Sequence, residues 1–506
     1  MVNGPSSSPP PADDSVARQT AVGSTYTIAA SAVTLIIGFT RSVILARLLF
    51  PEDFGLFALA FFFVRLLERV QMFGFTSAFI HKHNHSEEEA AAHFILRLGA
   101  GVLVLGLALL LTPILPRFYP DDPLLGPVIV VLTAVRLLTA FNATPKTILA
   151  KQLQFRRISV LKVGGSALAF VWAIWLAWAG YGIWALVAQE ASLVVMDFLG
   201  LWLLKRPWTP SLRTSREPIR YYFRFGKFQF VTQNIALLLD TFDDFWIGTF
   251  LGSTPLGFYA KSYEFARYPR AVVGEPISNV FFPVFARLQN KREQLSRAFF
   301  RVASLLVRAG FLFASLFVLV TPEFIRLFLG EKWLPMQLTF QLMLLYTLLD
   351  PLLLVVTQLV TAVGEPQTLT KAQIWQMVFF VPAVILASAW FGIEGVAVMA
   401  NVMLLLGIVL ILPRLRHFVD FSLRQMIAIP TLAVVVGLPL TLLLMELLPA
   451  AHPAVTLPQK ALSLSAIYLL ILLIFERSQL QKSVDLIWEL LRHNQPQSAQ
   501  RTQRNS

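Results

Sequence analysis

Fourteen apolar stretches follow one another along the 506 residues, beginning near positions 25, 53, 90, 122, 158, 182, 226, 255, 299, 335, 369, 394, 425 and 459 and ending at Phe475. Each approaches the roughly 20 residues that a helix needs to cross a hydrocarbon core about 30 Å thick. Backbone in contact with lipid has to satisfy its own hydrogen bonds, so stretches of this length become helices. The expected fold is therefore an all-α integral membrane protein of about fourteen transmembrane helices. With 56% hydrophobic and 14% charged residues, the composition leaves no second, soluble domain. The first stretch follows Pro- and Ser-rich residues with little positive charge and runs into Arg41 and Arg47, which reads as a retained span and not a cleaved leader. The chain has no cysteine, which excludes disulfides, thiolate metal sites and cysteine nucleophiles.

Loop charge sets the topology. Lys146, Lys151, Arg156, Arg157 and Lys162 follow the fourth stretch, and Lys205, Arg206, Arg213, Arg216 and Arg220 follow the sixth. Arg287, Lys291 and Arg292 follow the eighth, and Arg414, Arg416 and Arg424 follow the twelfth. Cytoplasmic loops collect Lys and Arg, so these even-numbered connections, and with them both termini, are expected to be cytoplasmic. The net charge of +13 is then mostly topology. It lies in short loops and forms no folded basic face, so nucleic acid is not an expected partner.

The chain also repeats itself. Leu49-Phe50-Pro51-Glu52-Asp53-Phe54-Gly55-Leu56-Phe57-Ala58 returns 202 residues later as Leu251-Gly252-Ser253-Thr254-Pro255-Leu256-Gly257-Phe258-Tyr259-Ala260. Gly182-Ile183-Trp184-Ala185 is echoed 210 residues on by Gly392-Ile393-Glu394-Gly395. Six stretches separate the members of each pair, and an even number keeps both copies in the same orientation. The halves are therefore expected to be related by a pseudo-two-fold axis along the membrane normal, with a site between them. The expected division is a head (1–21), a six-helix first lobe (22–204), a basic linker (205–225), a six-helix second lobe (226–414), two extra helices (415–476) and a tail (477–506).

Several charges fall inside the apolar stretches, where an ionisable group costs about 2.5–3.5 kcal/mol on insertion scales and usually faces a cavity or a partner. Arg41 lies in the second half of the first. Arg65, Glu68 and Arg69 share one face of the second, and Glu68 can pair with only one arginine at a time. Lys261, Glu264, Arg267 and Arg270 recur every three residues along the eighth as a drifting stripe that either lines a cavity or forms an ion-paired seam. Asp240, Asp243 and Asp244 crowd one face of the seventh. They either couple a proton or sodium ion, with Glu264 a further candidate, or neutralise Lys261 or Arg267. Glu190, Asp197 and Asp350 are weaker candidates. His81, His83 and His85 invite a metal reading, but a solvated turn explains them, because Ser86 and Glu89 form a capping box that starts the next helix. No Walker motif is present, and no loop is long enough to carry a glycosyltransferase, polymerase or ligase centre; an enzyme is not expected, nor is a resident cofactor.

The run from Gly38 to Ile80, GFTRSVILARLLFPEDFGLFALAFFFVRLLERVQMFGFTSAFI, resembles the opening two helices of bacterial polysaccharide-export flippases of the O-antigen type, within the multidrug/oligosaccharidyl-lipid/polysaccharide exporter superfamily. The likeness continues through Lys151-Gln152-Leu153-Gln154-Phe155-Arg156, Phe225-Gly226-Lys227, Gly257-Phe258-Tyr259-Ala260 and Phe281-Phe282-Pro283-Val284-Phe285. The resemblance implies a protein of the bacterial cytoplasmic membrane that moves polyprenyl-pyrophosphate-linked oligosaccharides between leaflets by alternating access, alongside membrane lipids and polysaccharide polymerase machinery. It implies cavity arginines on the first two helices, matched here by Arg41 and Arg69, and a cation near Lys261. Guanidinium groups hold phosphates through forked, charge-assisted hydrogen bonds, so Arg41, Arg65, Arg69, Lys261, Arg267 and Arg270 are the candidates for an anionic headgroup. A cation-coupled multidrug exporter and a lipid II flippase of the same superfamily are the alternative readings.

Overall fold

The computed structural model describes residues 12–69, 74–81, 86–204, 206–448 and 452–493. Helix α1 (Ala12–Leu48) turns sharply into α2 (Pro51–Glu68), which has Pro51 at its first position, where a missing N–H is no loss. Then follow α3 (Phe75–His81), α4 (Glu87–Leu111), α5 (Leu125–Lys151), α6 (Phe155–Trp178) and α7 (Trp184–Phe198). The second half opens with α8 (Arg216–Phe250), α9 (Ser253–Pro269) and α10 (Glu275–Leu288), the last two joined by a π-helical turn. Helices α11 (Arg292–Phe324), α12 (Gln337–Ala362), α13 (Pro366–Leu415), α14 (Leu423–Glu446) and α15 (Pro453–His493) complete the chain.

Ten helical segments among the described residues are long and apolar enough to cross a membrane. The 50-residue α13 is a hairpin turning at Gly392, whose φ of 56° is open to glycine. Gln376 Nε2 on one arm donates to the Met403 carbonyl on the other, 2.9 Å away. Gly182, the earlier member of this echo, turns the α6–α7 hairpin with a φ of 52°. The other segments of the sequence pattern are α2, α8 and α9 with α10. These segments carry most of the charges described below.

Three boundaries move. Helix α1 starts at Ala12, inside the expected head. Helix α8 starts at Arg216, so half of the expected linker is helical. Helix α15 runs into the expected tail, bending at Glu476. His83 and His85 lie outside the described residues, while Ser86 and Glu89 form the expected capping box on α4.

The last two helices pack on α11 of the second half and on each other. Buried Arg308 of α11 donates from Nε and Nη2 to Glu476 Oε2 at 2.9 and 2.6 Å, and Tyr468 on α15 donates to the Arg308 carbonyl at 2.9 Å. Breaking one partner of a buried pair strands the other charge and costs about 3–5 kcal/mol. Glu476→Ala is therefore expected to lower the thermal unfolding midpoint in detergent markedly, and Arg308→Met combined with Glu476→Leu to restore most of it. Equal midpoints for the single and double variants would refute this account.

Candidate functional site

The two copies of the repeated decapeptide meet each other. A Cβ placed on Gly55 of α2 would lie 1.7 Å from the Ser253 carbonyl oxygen, and one on Gly257 of α9 would lie 1.8 Å from that of Pro51. Ser253 stands 202 residues after Pro51, as Gly257 does after Gly55, so the contact is reciprocal about the pseudo-two-fold axis. Glycine is the residue that permits such backbone approach. Around this crossing, at the α1–α2 end, hydrogen bonds tie the halves together. Trp333 Nε1 donates to the Ala46 carbonyl at 2.8 Å, and Lys332 Nζ donates to the carbonyls of Arg47 and Leu49 at 2.8 and 2.6 Å. Tyr119 and Thr249 share a hydroxyl hydrogen bond of 2.7 Å. Arg47 donates to the carbonyls of Leu327 and Phe328, so it caps the π-helical turn Ile325–Leu329 that follows α11.

Beneath the crossing lies a cavity of about 470 Å³, walled by α1, α2 and α7 of the first half and α8 and α9 of the second. Phe54, Phe57, Phe61 and Arg65 form one stripe of α2, and Lys261, Glu264, Arg267 and Tyr268 form one stripe of α9. Four cations (Arg41, Arg65, Lys261 and Arg267) and three carboxylates (Asp240, Asp244 and Glu264) line it.

These charges are not equivalent. Lys261, with only 3% of its side chain exposed, donates to Ser42 Oγ at 2.7 Å and Glu264 Oε2 at 2.9 Å. Ser42 donates in turn to Glu264 Oε1 at 2.6 Å, and the ammonium lies 4.2 Å from the centre of the Phe54 ring. Removing an ammonium from water costs several kcal/mol, and this triad with its cation–π contact offsets it. Lys261 and Glu264 thus form a seam that also forms part of the cavity wall. Arg41 has no comparable arrangement: its Nε and Nη1 are buried without a hydrogen-bond partner among the described residues. Unsatisfied buried donors are rare in proteins, and each one calls for an explanation. Glu190 and Glu264 are near enough to act on Arg41 through space only.

The three aspartates of α8 separate. Asp243 is buried and accepts a hydrogen bond of 2.6 Å from the Tyr259 hydroxyl. Asp240 and Asp244 face the cavity. Among the described residues no three acidic or histidine side chains converge as a metal site. Arg270 does not line the cavity; it donates to buried Asp350 at 2.6 Å and lies 3.6 Å from Glu275. Arg69 caps the end of α2, also away from the cavity lining. Glu68 also meets a cation from another helix. Arg136 on α5 lies 3.4 Å from Glu68 and donates to Glu190 at 3.0 Å. Arg136 was missed from the sequence, although a charge midway along the fourth apolar stretch was a signal for it. Asp197 pairs with Lys146 at 2.5 Å.

Residues 44–338, more than half of the chain, match the profile described as "Polysaccharide biosynthesis protein". The chain belongs to this polysaccharide biosynthesis protein family. Two of its relatives are the lipopolysaccharide biosynthesis protein WzxC of Escherichia coli K12 and the succinoglycan biosynthesis transport protein ExoT of Rhizobium meliloti. WzxC is 22% identical over 384 residues, 76% of this chain and 78% of WzxC. ExoT is 28% identical over 302 residues, 58% of this chain and 59% of ExoT. Among solved structures, the lipid II flippase MurJ in an inward closed conformation superimposes with a TM-score of 0.72, at 14% identity, over 91% of this chain and 99% of MurJ. The family assignment and the helical fold shared with MurJ agree with the sequence reading.

Proposed function

We propose that this chain is a flippase that carries polyprenyl-pyrophosphate-linked oligosaccharides across the cytoplasmic membrane for surface polysaccharide synthesis. The observation that carries the reading is Arg41, whose buried guanidinium donors in the cavity lack partners. A pyrophosphate oxygen supplies the acceptor they lack, and Arg65 and Arg267 on the same wall supply further forked donors. A cargo that brings no acceptor oxygen would leave Arg41 as it stands, at the full desolvation penalty of a buried unsatisfied group, and a neutral acceptor would lack the charge assistance that a phosphate adds. The names of WzxC, ExoT and MurJ support the same substrate class.

The lobes close at the α1–α2 end, and the basic loops lie at the other. With those loops and both termini cytoplasmic, the cavity of this state belongs to the cytoplasmic side and takes up the headgroup while the polyprenyl tail stays in lipid. Transport then requires the glycine crossing to open and the opposite side to close. A proton or sodium gradient is the proposed drive. Asp243 and Asp244 are its proposed site, since neither has an ion-pair partner among the described residues, and polymerase machinery is the proposed acceptor of the product.

The reading is tested in liposomes loaded with a polyprenyl-pyrophosphate oligosaccharide, by the fraction of headgroup that becomes accessible to a membrane-impermeant sugar-modifying enzyme. Protein-dependent exposure is expected. No exposure across several glycans and ion gradients, with a cationic dye moved in the same vesicles, would refute it in favour of drug export.

A further inference from the structure

Two arginines of the cavity occupy equivalent positions in the two halves. Arg267 stands 202 residues after Arg65, and Tyr263 stands 202 residues after Phe61. Each guanidinium lies over the ring four residues before it, Arg65 at 4.9 Å from Phe61 and Arg267 at 5.2 Å from Tyr263. Both reach for the same carboxylate: Arg65 Nη1 is 3.4 Å from Asp240 Oδ2, and Arg267 Nη1 is 3.7 Å from Asp240 Oδ1. The three side chains are exposed to nearly the same degree, 41%, 39% and 46%. One acidic group from α8 therefore sits between a symmetric pair of donors, one from each half.

The fit is loose. Charge-assisted contacts of this type close to about 2.7–2.9 Å, and both of these remain well outside that range. A single carboxylate has one oxygen for each arginine and is too small to meet both. A pyrophosphate group is longer, carries more charge and offers several oxygens to each fork. Ion pairs this exposed are weak and easily exchanged. The counterpart of Asp240 in the first half is Gly38, which also lines the cavity, so the pair of arginines is given one carboxylate and not two.

We infer that Asp240 is a built-in stand-in for the substrate's anion: it bridges Arg65 and Arg267 across the two lobes while the cavity is empty, and an incoming phosphate-bearing headgroup displaces it. The inference rests on the proposed anionic substrate but adds what the empty transporter does. The stand-in keeps two like charges from repelling each other and holds the lobes together below the glycine crossing. It also sets a threshold for occupancy, since a ligand has to carry more negative charge and more oxygens than a carboxylate to replace it. If the bridge is closed about nine-tenths of the time, apparent affinity falls about tenfold.

The test compares the parent with Asp240→Asn, a substitution that keeps shape and removes charge. Binding of inorganic pyrophosphate and of a short-chain prenyl pyrophosphate is measured by calorimetry in detergent, with Arg65→Ala and Arg267→Ala as references. Because the chain has no cysteine, spin labels at Gln154→Cys and Gln289→Cys report lobe separation in the same proteins. Asp240→Asn is expected to bind both probes about tenfold more tightly and, without ligand, to show a wider label distance than the parent. Equal or weaker binding by Asp240→Asn, with binding lost in the arginine variants, would overturn the stand-in and leave the anion site intact. If neither parent nor variant binds either probe, the proposed substrate fails, and the label distance then decides: unchanged separation overturns the bridge, and widened separation retains it.

Discussion

Arg41→Ala is expected to reduce headgroup translocation about 10- to 150-fold while leaving the protein as stable as the parent or more so. The first figure follows from the strength of hydrogen bonds to charged groups, about 1.5–3 kcal/mol each. The second follows from the cavity itself. A group that packed or paired with its surroundings would be missed on removal, as a partner of Glu476 would be. Arg41 instead keeps two buried donors unsatisfied, so its deletion relieves a penalty, as is usual where function is retained at a cost in stability. Translocation assays and thermal melts of one preparation check both halves. Arg41→Lys separates charge from geometry: retained transport means that a point charge is enough, and loss means that the planar fork is read. A large drop in melting temperature with Arg41→Ala would show that the residue is structural and refute the site.

Gly257→Ala is expected to open the closed end. The added methyl would lie 1.8 Å from the Pro51 carbonyl oxygen, far inside contact distance, and a backbone atom has no rotamer to move aside. The lobes have to separate, and the hydrogen bonds of Trp333 and Lys332 across the same surface weaken with them. In a protein that alternates between two states, this penalises one state only and shifts the population to the other. Gly55→Ala is expected to do the same, because its methyl would meet Ser253 in the reciprocal contact. A cysteine introduced at Ala58, on the cavity wall, is expected to react with an impermeant thiol reagent from the α1–α2 side slowly in the parent and much faster in either glycine variant. Equal reactivity would show that the crossing is not a gate.

Much of this architecture was legible from residue order alone. Apolar stretches of membrane length become helices irrespective of neighbours, and the repeat gave the relation between halves before any contact was known. The charged stripe of α9 was legible too, because Lys261, Glu264 and Arg267 recur every three residues along one helical face, although the spacing left a cavity wall and an ion-paired seam equally open. What each charge meets was not. Helical spacing names a face but not the helix opposite. Lys261 meets Ser42 of α1, Arg270 meets Asp350 of α12, and Glu68 meets Arg136 of α5. The aspartates of α8 illustrate the same limit: their spacing predicts mutual repulsion, yet Tyr259 draws Asp243 into the protein while Asp240 turns to two arginines.

The crossing of Gly55 with Gly257 has a further consequence. A patch that meets its own copy about a two-fold axis is the geometry of a homodimer interface, self-complementary by symmetry. Here it is carried within one polypeptide, where linkage makes association intramolecular and each copy is free to change alone. The two halves have used that freedom at the ends of α1 and α8: Gly38 and Arg41 in the first stand where Asp240 and Asp243 stand in the second. A true homodimer would present like charges in pairs at those positions. Joining the halves lets the first leave Arg41 open in the cavity while the second supplies Asp240 to Arg65 and Arg267, so the chain has a symmetric hinge and an asymmetric lock.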